Sequence, residues 1–119
     1  MNTKITLFSL LACFTMLSPI QAKSPAAPDS YVYIISPADG EVVHNPVLVK
    51  FGLRGMGIAP AGVESNNTGH HHLLIDVETL PDLDKPIPAD DHHVHFGKGQ
   101  TEALIEFHPW RAQLAIASR

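Results

Sequence analysis

Proline and glycine recur at short intervals along most of this chain, and their spacing limits the secondary structure that it can form. All eight glycines follow residue 39, and nine of the ten prolines follow residue 24. Between Pro25 and Gly99, the longest stretch without either residue is His70–Leu80, which has 11 residues. Because both residues interrupt helices, this pattern excludes long helices and coiled coils and favours short strands joined by turns.

Length and charge further limit the classes of protein to which this chain can belong. The chain has 119 residues, with 8 Lys+Arg against 12 Asp+Glu and a formal net charge of −4. This length predicts one small domain at most. The charges are scattered and form no basic stripe that could neutralise phosphates, so nucleic acid is excluded as an expected partner.

The first 22 residues have the pattern of an export signal. Lys4 precedes a mostly apolar stretch, Ile5–Leu17, which is too short to span a bilayer, and Ala22 offers a small residue at a cleavage point. We therefore expect a periplasmic or secreted protein with no membrane span after cleavage. Alternatively, Leu10–Cys13 is a lipoprotein box. After cleavage at Ala22 the only cysteine is lost, so no disulfide can form.

The remaining chain is predicted to form one histidine-rich β domain over residues 31–107. A disordered or extended lead-in over residues 23–30 precedes it. Tyr31–Ile35 is a run of β-branched and aromatic residues that ends in turn formers. From residue 47 to 54 the larger apolar side chains occupy alternate positions, which predicts a strand with one buried face. Residues 55–69 are rich in glycine and predict a long loop.

The second half of the domain predicts further strands. His70–Val77 is one of them, and Gly97–Gly99 is expected to be a hairpin turn between strands at His92–Phe96 and Thr101–Phe107. Short strands separated by turns favour an all-β fold, specifically an immunoglobulin-like antiparallel sandwich.

Six of the eight histidines fall into two clusters, at residues 70–72 and 92–95. Side chains two positions apart on a strand share a face and lie about 6–7 Å apart. His70 and His72 therefore face one way and His71 the other, with the apolar residues. If the two strands are adjacent, His70, His72, His93 and His95 place four imidazoles on one patch. Nearby carboxylates could orient these rings: Asp76, Asp90 and Asp91.

Four clustered imidazoles favour a divalent ion such as Cu(II) or Zn(II) over Cu(I), because the chain after Ala22 contains no thiol and one thioether, Met56. Two other interpretations stay open. The histidines of the clusters could serve only as structural hydrogen-bonding groups, with His71 as a core residue. The other is a catalytic role for the histidines. Because no nucleophile, phosphate-loop or zinc-protease motif occurs, no enzyme is predicted. His44 and His108 are expected to be ordinary surface residues.

Several strings resemble one family of short exported bacterial proteins, domain of unknown function 4399. The most specific are Gly-His-His-His-Leu-Leu-Ile-Asp, ending at Asp76, and His-Phe-Gly-Lys-Gly-Gln-Thr-Glu, ending at Glu102. The resemblance covers residues 31 to about 106. It implies export and a small β domain whose shared histidines are His70, His71, His72 and His95. It implies no activity, so metal binding and an envelope adhesion or scaffolding role both stay open.

The segment after Phe107 departs from the family pattern of further strands and a second histidine-rich loop. We expect residues 108–119 to be an aberrant tail that results from truncation or a shifted reading frame, which leaves the sandwich incomplete. Residues 111–117 lack proline and glycine and contain helix formers, so this segment is expected to be weakly helical or disordered rather than a paired strand.

Overall fold

The computed structural model describes residues 25–108 and 114–118, and within them every regular element is a β-strand. The predicted signal peptide, residues 1–22, lies outside the described residues. In the predicted lead-in, the amide of Ser30 donates to the carbonyl of Ala27 at 3.0 Å, and the carbonyl of Pro25 accepts from the amide of Asn67 at 3.0 Å. The described segments contain no helix long and apolar enough to cross a membrane.

Eight strands occur in the described residues, numbered in chain order. They are β1 (Tyr31–Ser36), β2 (Val47–Arg54), β3 (Gly57–Ile58), β4 (Thr68–Gly69), β5 (His71–Ile75), β6 (His93–His95), β7 (Glu102–Ile105) and β8 (Leu114–Ser118). The prediction of an all-β fold is confirmed.

The strands form two antiparallel sheets and one small parallel pair. One sheet has the order β1-β2-β7 and the other has the order β6-β5-β8. Strands β3 and β4 pair in parallel within the segment that was predicted as a loop, with Gly57 opposite Thr68 and Ile58 opposite Gly69. The strand following this pair begins at His71, so the small parallel pair leads directly into the first histidine cluster.

The hydrophobic core joins β2 to β5. Along β2 the side chains of Val47, Val49 and Phe51 are buried, and the intervening Leu48 and Lys50 are exposed, as the alternation predicts. The buried β2 side chains form one cluster with Leu73 of β5 and with Phe96. The inward face of β2 therefore supports β5, the strand that carries the first histidine cluster.

Two predictions about strand pairing are wrong. The predicted hairpin around Gly97–Gly99 does not form, because β6 pairs with β5 whereas β7 pairs with β2 in the other sheet. The prediction of no paired strand in the tail is also wrong, since Leu114–Ser118 pairs with His71–Ile75 along its whole length. The shifted reading frame itself stays a prediction.

Candidate metal centre

The pairing of β5 with β6 decides which histidines can meet. His72 lies directly opposite His95, and Leu74 lies opposite His93. The carbonyl of His71 accepts a hydrogen bond from the amide of Phe96 at 3.0 Å, which continues the pairing beyond the end of β6. Directly opposed residues on antiparallel strands project to the same face, so this register places His72 and His95 side by side.

Three imidazoles converge at this point: His70, His72 and His95 form a group that we call the histidine triad. One ligand-capable nitrogen from each ring lies within 4.8 Å of the other two. The Nε2 atoms of His70 and His72 are 3.2 Å apart. The rings of His72 and His95 stack, with centroids 4.7 Å apart and planes at 13°. His72 is buried, His70 half-buried and His95 exposed, so the triad opens to solvent on one side.

The segment before His70 is held by the pairing of β3 with β4. The amide of Ala59 donates to the carbonyl of Gly69 at 2.8 Å, and the amide of Gly57 donates to the carbonyl of Asn67 at 2.8 Å. These backbone bonds fix the residue immediately before His70. Its ring centroid consequently lies 5.0 Å from that of His72 and 4.8 Å from that of His95.

His93, the fourth predicted ligand, is held by a carboxylate. Its Nδ1 lies 2.7 Å from Oδ1 of Asp90, which also accepts from the amide of His92 at 2.9 Å. The hydrogen bond from the His93 side chain, followed by the one from the His92 amide, lowers the pKa of Asp90. Because Nδ1 of His93 donates to this carboxylate, Nε2 is the nitrogen that retains a lone pair for a metal.

Among the described residues, the triad is the group whose ligand atoms lie close enough together to hold one ion. It includes neither His93 nor the predicted acidic residues. Asp90 accepts a hydrogen bond from the ring of His93, and its role beside a metal ligand stays a prediction. Asp76 is exposed immediately after β5 and has a left-handed backbone, with φ of 55°. Asp91 is exposed in the turn that leads to β6.

His71 lies on the opposite face of β5 and belongs to the core, as predicted. It is 1% exposed, and its ring centroid lies 5.2 Å from that of Phe51. Within the described part of the chain, its buried Nδ1 has no hydrogen-bond partner. Burial, and secondarily the charge of His70, lower the pKa of His71. These surroundings favour the neutral imidazole and hold it away from the triad.

The remaining histidines lie outside the triad. Nδ1 of His92 is 2.9 Å from the carbonyl oxygen of Ile75, whose amide donates to the carbonyl of His92 at 2.9 Å. These contacts attach the start of β6 to the end of β5. His44 and His108 are exposed, as predicted.

Gly97 is a residue of the site that the sequence pattern did not indicate: it lies in a turn, as predicted, but its contact with His95 is a tertiary one. A Cβ atom built at this position would lie 2.8 Å from both Cε1 and Nε2 of His95. The His95 ring thus rests on the backbone of Gly97.

The chemistry of the triad follows from its donor atoms. Three imidazole nitrogens could hold one metal ion. Imidazole suits Zn(II), Cu(II), Ni(II) and Fe(II), so the donor set does not select among these ions. Two of the donors, on His70 and His72, already have a separation close to the about 3.3 Å expected between ligand nitrogens at tetrahedral zinc, for Zn–N bonds of about 2.0–2.1 Å.

Comparison with known proteins identifies a family. The model of a family described as Domain of unknown function (DUF4399) matches residues 49–117, which is more than half of the chain and includes the whole triad. No curated protein and no solved structure matches the chain. The matched range begins within β2, ends within β8 and includes the whole of β3 to β7. The chain therefore belongs to the domain of unknown function 4399 family.

Proposed function

We propose that this protein is a non-catalytic binder of divalent metal ions, with His70, His72 and His95 as ligands. The observation that carries the proposal is the convergence of one nitrogen from each ring within 4.8 Å. His93 lies outside the group within reach of one ion, so as the proposed fourth ligand it has to approach the triad; Nε2 is the nitrogen it can supply, because Asp90 holds Nδ1. Zn(II) and Cu(II) are the ions that we propose, and imidazole nitrogens are suitable ligands for both.

Metal binding requires only a small rearrangement of the triad. The His70 and His72 nitrogens are 3.2 Å apart, so an ion that replaces their mutual hydrogen bond needs little movement of either ring. His95 is exposed and is the ring that can move toward the ion at the lowest packing cost. His72 is buried in the sheet and supplies the least mobile ligand.

The proposed setting is the periplasm or the extracellular space. This proposal rests on the N-terminal charge, apolar stretch and small residue at position 22. In that setting a histidine site could serve to buffer a metal ion, to deliver it or to stabilise the fold. Detection of the mature protein in the periplasmic fraction or the medium, with an N-terminus at residue 23, is the expected result.

We also infer that the two three-stranded sheets form an immunoglobulin-like sandwich. The support is the single cluster shared by the inward side chains of β2 and by Leu73 of β5. A crystal structure would test this arrangement through the angle between the sheets, which is about 30° in aligned sandwiches.

Calorimetric titration of metal-free protein with Zn(II) and Cu(II) tests the metal proposal. The informative variant is His70→Ala/His95→Ala, which spares the buried His72. The matched control is His44→Ala/His108→Ala, which removes the same number of imidazoles from exposed positions away from the triad. We expect the wild type and the control to bind alike and the triad variant to lose binding. Equal binding by all three proteins would overturn the proposal.

The pH dependence of the titration adds a second measurement. An imidazole must be neutral to bind a metal ion, so protons compete with the metal for the ligand nitrogens as the pH falls. We expect affinity to fall below about pH 6. Affinity that stays constant from pH 7 to pH 5 would argue against imidazole ligands.

The alternative proposal is an envelope adhesion or scaffolding module with structural histidines. The contacts of His92 with Ile75 and of His93 with Asp90 favour it, because both stabilise the connection between β5 and β6. In this case His93→Ala lowers the melting temperature in the presence of a chelator, and added metal changes the melting of no variant.

A further inference from the structure

The close contact between Gly97 and His95 assigns Gly97 a role at the triad. We propose that Gly97 is a positioning residue, and that its missing side chain leaves the space in which the His95 ring stacks on His72. The consequence for metal binding rests on the proposed function. The contact itself does not, because the distances of 2.8 Å from a built Cβ to Cε1 and Nε2 of His95 involve protein atoms alone.

The backbone does not explain why position 97 is a glycine. The described glycines with a left-handed backbone are Gly40, Gly55, Gly62 and Gly99, and Gly97 is not among them. An alanine is therefore compatible with the backbone conformation at this position. The requirement for glycine comes from the close approach of a neighbouring ring.

Gly97 also cannot move away from the ring without breaking other contacts. Its carbonyl accepts a hydrogen bond from the amide of Ala61 at 2.8 Å, and a built Cβ would lie 3.3 Å from the Cβ of Ala61. A methyl group at position 97 would consequently be confined between Ala61 and His95. His95 is an exposed residue, so its imidazole is the group that yields.

The segment around Ala61 links the supports of two triad members. The amide of Ala59 donates to the carbonyl of Gly69, which precedes His70, and the amide of Ala61 donates to the carbonyl of Gly97. Ala59 is buried, which anchors this segment. The placement of His70 and the placement of His95 thus depend on the same short stretch of backbone.

The test compares Gly97→Ala with Gly57→Ala. Gly57 is a suitable control because alanine keeps the backbone amide that donates to Asn67 and its backbone is also not left-handed. A built Cβ there meets its nearest atom, Cγ2 of Thr68, at an ordinary 3.6 Å. Nuclear Overhauser effects between the His72 and His95 rings are measured in metal-free protein. We expect them in the wild type and in Gly57→Ala, and we expect their loss in Gly97→Ala. Their persistence in Gly97→Ala would overturn the proposal.

Zn(II) affinity of the same proteins supplies the functional measurement. We expect Gly97→Ala to lower affinity by about 10- to 100-fold, the range for residues that orient metal ligands, and Gly57→Ala to leave it unchanged. Equal affinity of Gly97→Ala and the wild type would overturn the functional role of Gly97 and leave metal binding intact. Failure of the wild type to bind zinc would overturn the proposed function, while the ring contacts still decide the role of Gly97.

A double-mutant cycle keeps the proposal testable if Gly97→Ala is unstable. Melting temperatures are measured in chelator for the wild type, Gly97→Ala, His95→Ala and the double variant Gly97→Ala/His95→Ala. If the methyl group at position 97 collides with the imidazole, its effect on melting is smaller when the ring is absent. An equal decrease in both backgrounds would show that the collision lies elsewhere and would overturn the proposal.

Discussion

His71 and His72 are consecutive residues of β5 with nearly equal burial, at 1% and 4% exposed, yet they have opposite surroundings. His71 projects into the core beside Phe51, where burial lowers its pKa. His72 projects to the other face, where its ring stacks on His95 and its Nε2 lies 3.2 Å from that of His70. Burial alone therefore does not separate a core histidine from a candidate ligand. The neighbouring side chains do.

This contrast predicts that changes on the two faces affect different measurements. Changes on the core face should lower stability regardless of metal. Changes at the triad should alter metal binding, with a smaller effect on the stability of the metal-free protein.

The largest expected effect comes from the core face. Leu73 is fully buried beside Phe51, so Leu73→Ala removes apolar contacts and leaves a cavity. We expect a loss of about 2–5 kcal/mol in the free energy of unfolding, measured with urea in the presence of chelator. Leu104→Ala is the control, because Leu104 is 65% exposed. Similar losses for both variants would contradict the assignment of the core.

A metal ion should stabilise the folded state through the triad face. At a free Zn(II) concentration about 100 times the Kd, ligand binding to the folded state raises the free energy of unfolding by about 2.7 kcal/mol. We expect this increase in the wild type and in His44→Ala and its loss in His95→Ala, as measured by urea unfolding. An undiminished increase in His95→Ala would remove His95 from the site.

Acid should destabilise the protein through the core face. The pKa of His71 is below its ordinary value of 6.5 in the folded state, so the unfolded chain binds more protons as the pH falls below about 6.5. The contribution of His71 to the free energy of unfolding is complete above this pH. It is lost as the pH falls to the lower pKa that His71 has in the folded state. Because one proton is involved, the free energy of unfolding cannot change by more than about 1.4 kcal/mol per pH unit.

The variant His71→Phe should reduce this dependence. Phenylalanine keeps an aromatic ring beside Phe51 and cannot take up a proton. In chelator, we expect the free energy of unfolding of His71→Phe to change less between pH 7 and pH 5 than that of the wild type. An unchanged slope would assign the acid sensitivity to other groups.

The smallest expected effect is at the second histidine cluster. Asp90→Asn weakens the hydrogen bond to His93, but Asp90 is exposed, so we expect only a slight decrease in melting temperature. Nuclear magnetic resonance titration of wild-type Asp90 should give a pKa below 3.8. Asp91→Asn is the control for the loss of a charge at the same turn. An equal decrease in both variants would show that the pair with His93 contributes nothing specific.

The contrast between the faces of β5 was predictable from local alternation. Spacing alone places His71 with Leu73 and places His70 on the side of His72. The membership of His95 in the triad also requires that β5 and β6 pair with His72 opposite His95. A shift by one residue would direct the His95 side chain to the other face of the sheet.

Other features depended on contacts that local patterns do not contain. The turn formers at Gly97–Gly99 predicted a hairpin, but the chain passes from one sheet to the other there. Residues 111–117 carried no strand pattern, yet Leu114–Ser118 completes the sheet beside β5. His93 was grouped with the triad by its spacing to His95, and its hydrogen bond to Asp90 is a tertiary detail of the turn before β6.

The sequence by itself determined that this protein forms short strands, that β5 has one apolar and one histidine face, and that its candidate ligands are imidazoles. These properties follow from proline and glycine spacing, side-chain alternation and residue chemistry, all of which act over a few residues. The tertiary structure decided which rings meet, that Asp90 binds His93 and that Gly97 supports His95. Those outcomes depend on register and close packing between distant segments, whose energies a local pattern does not specify.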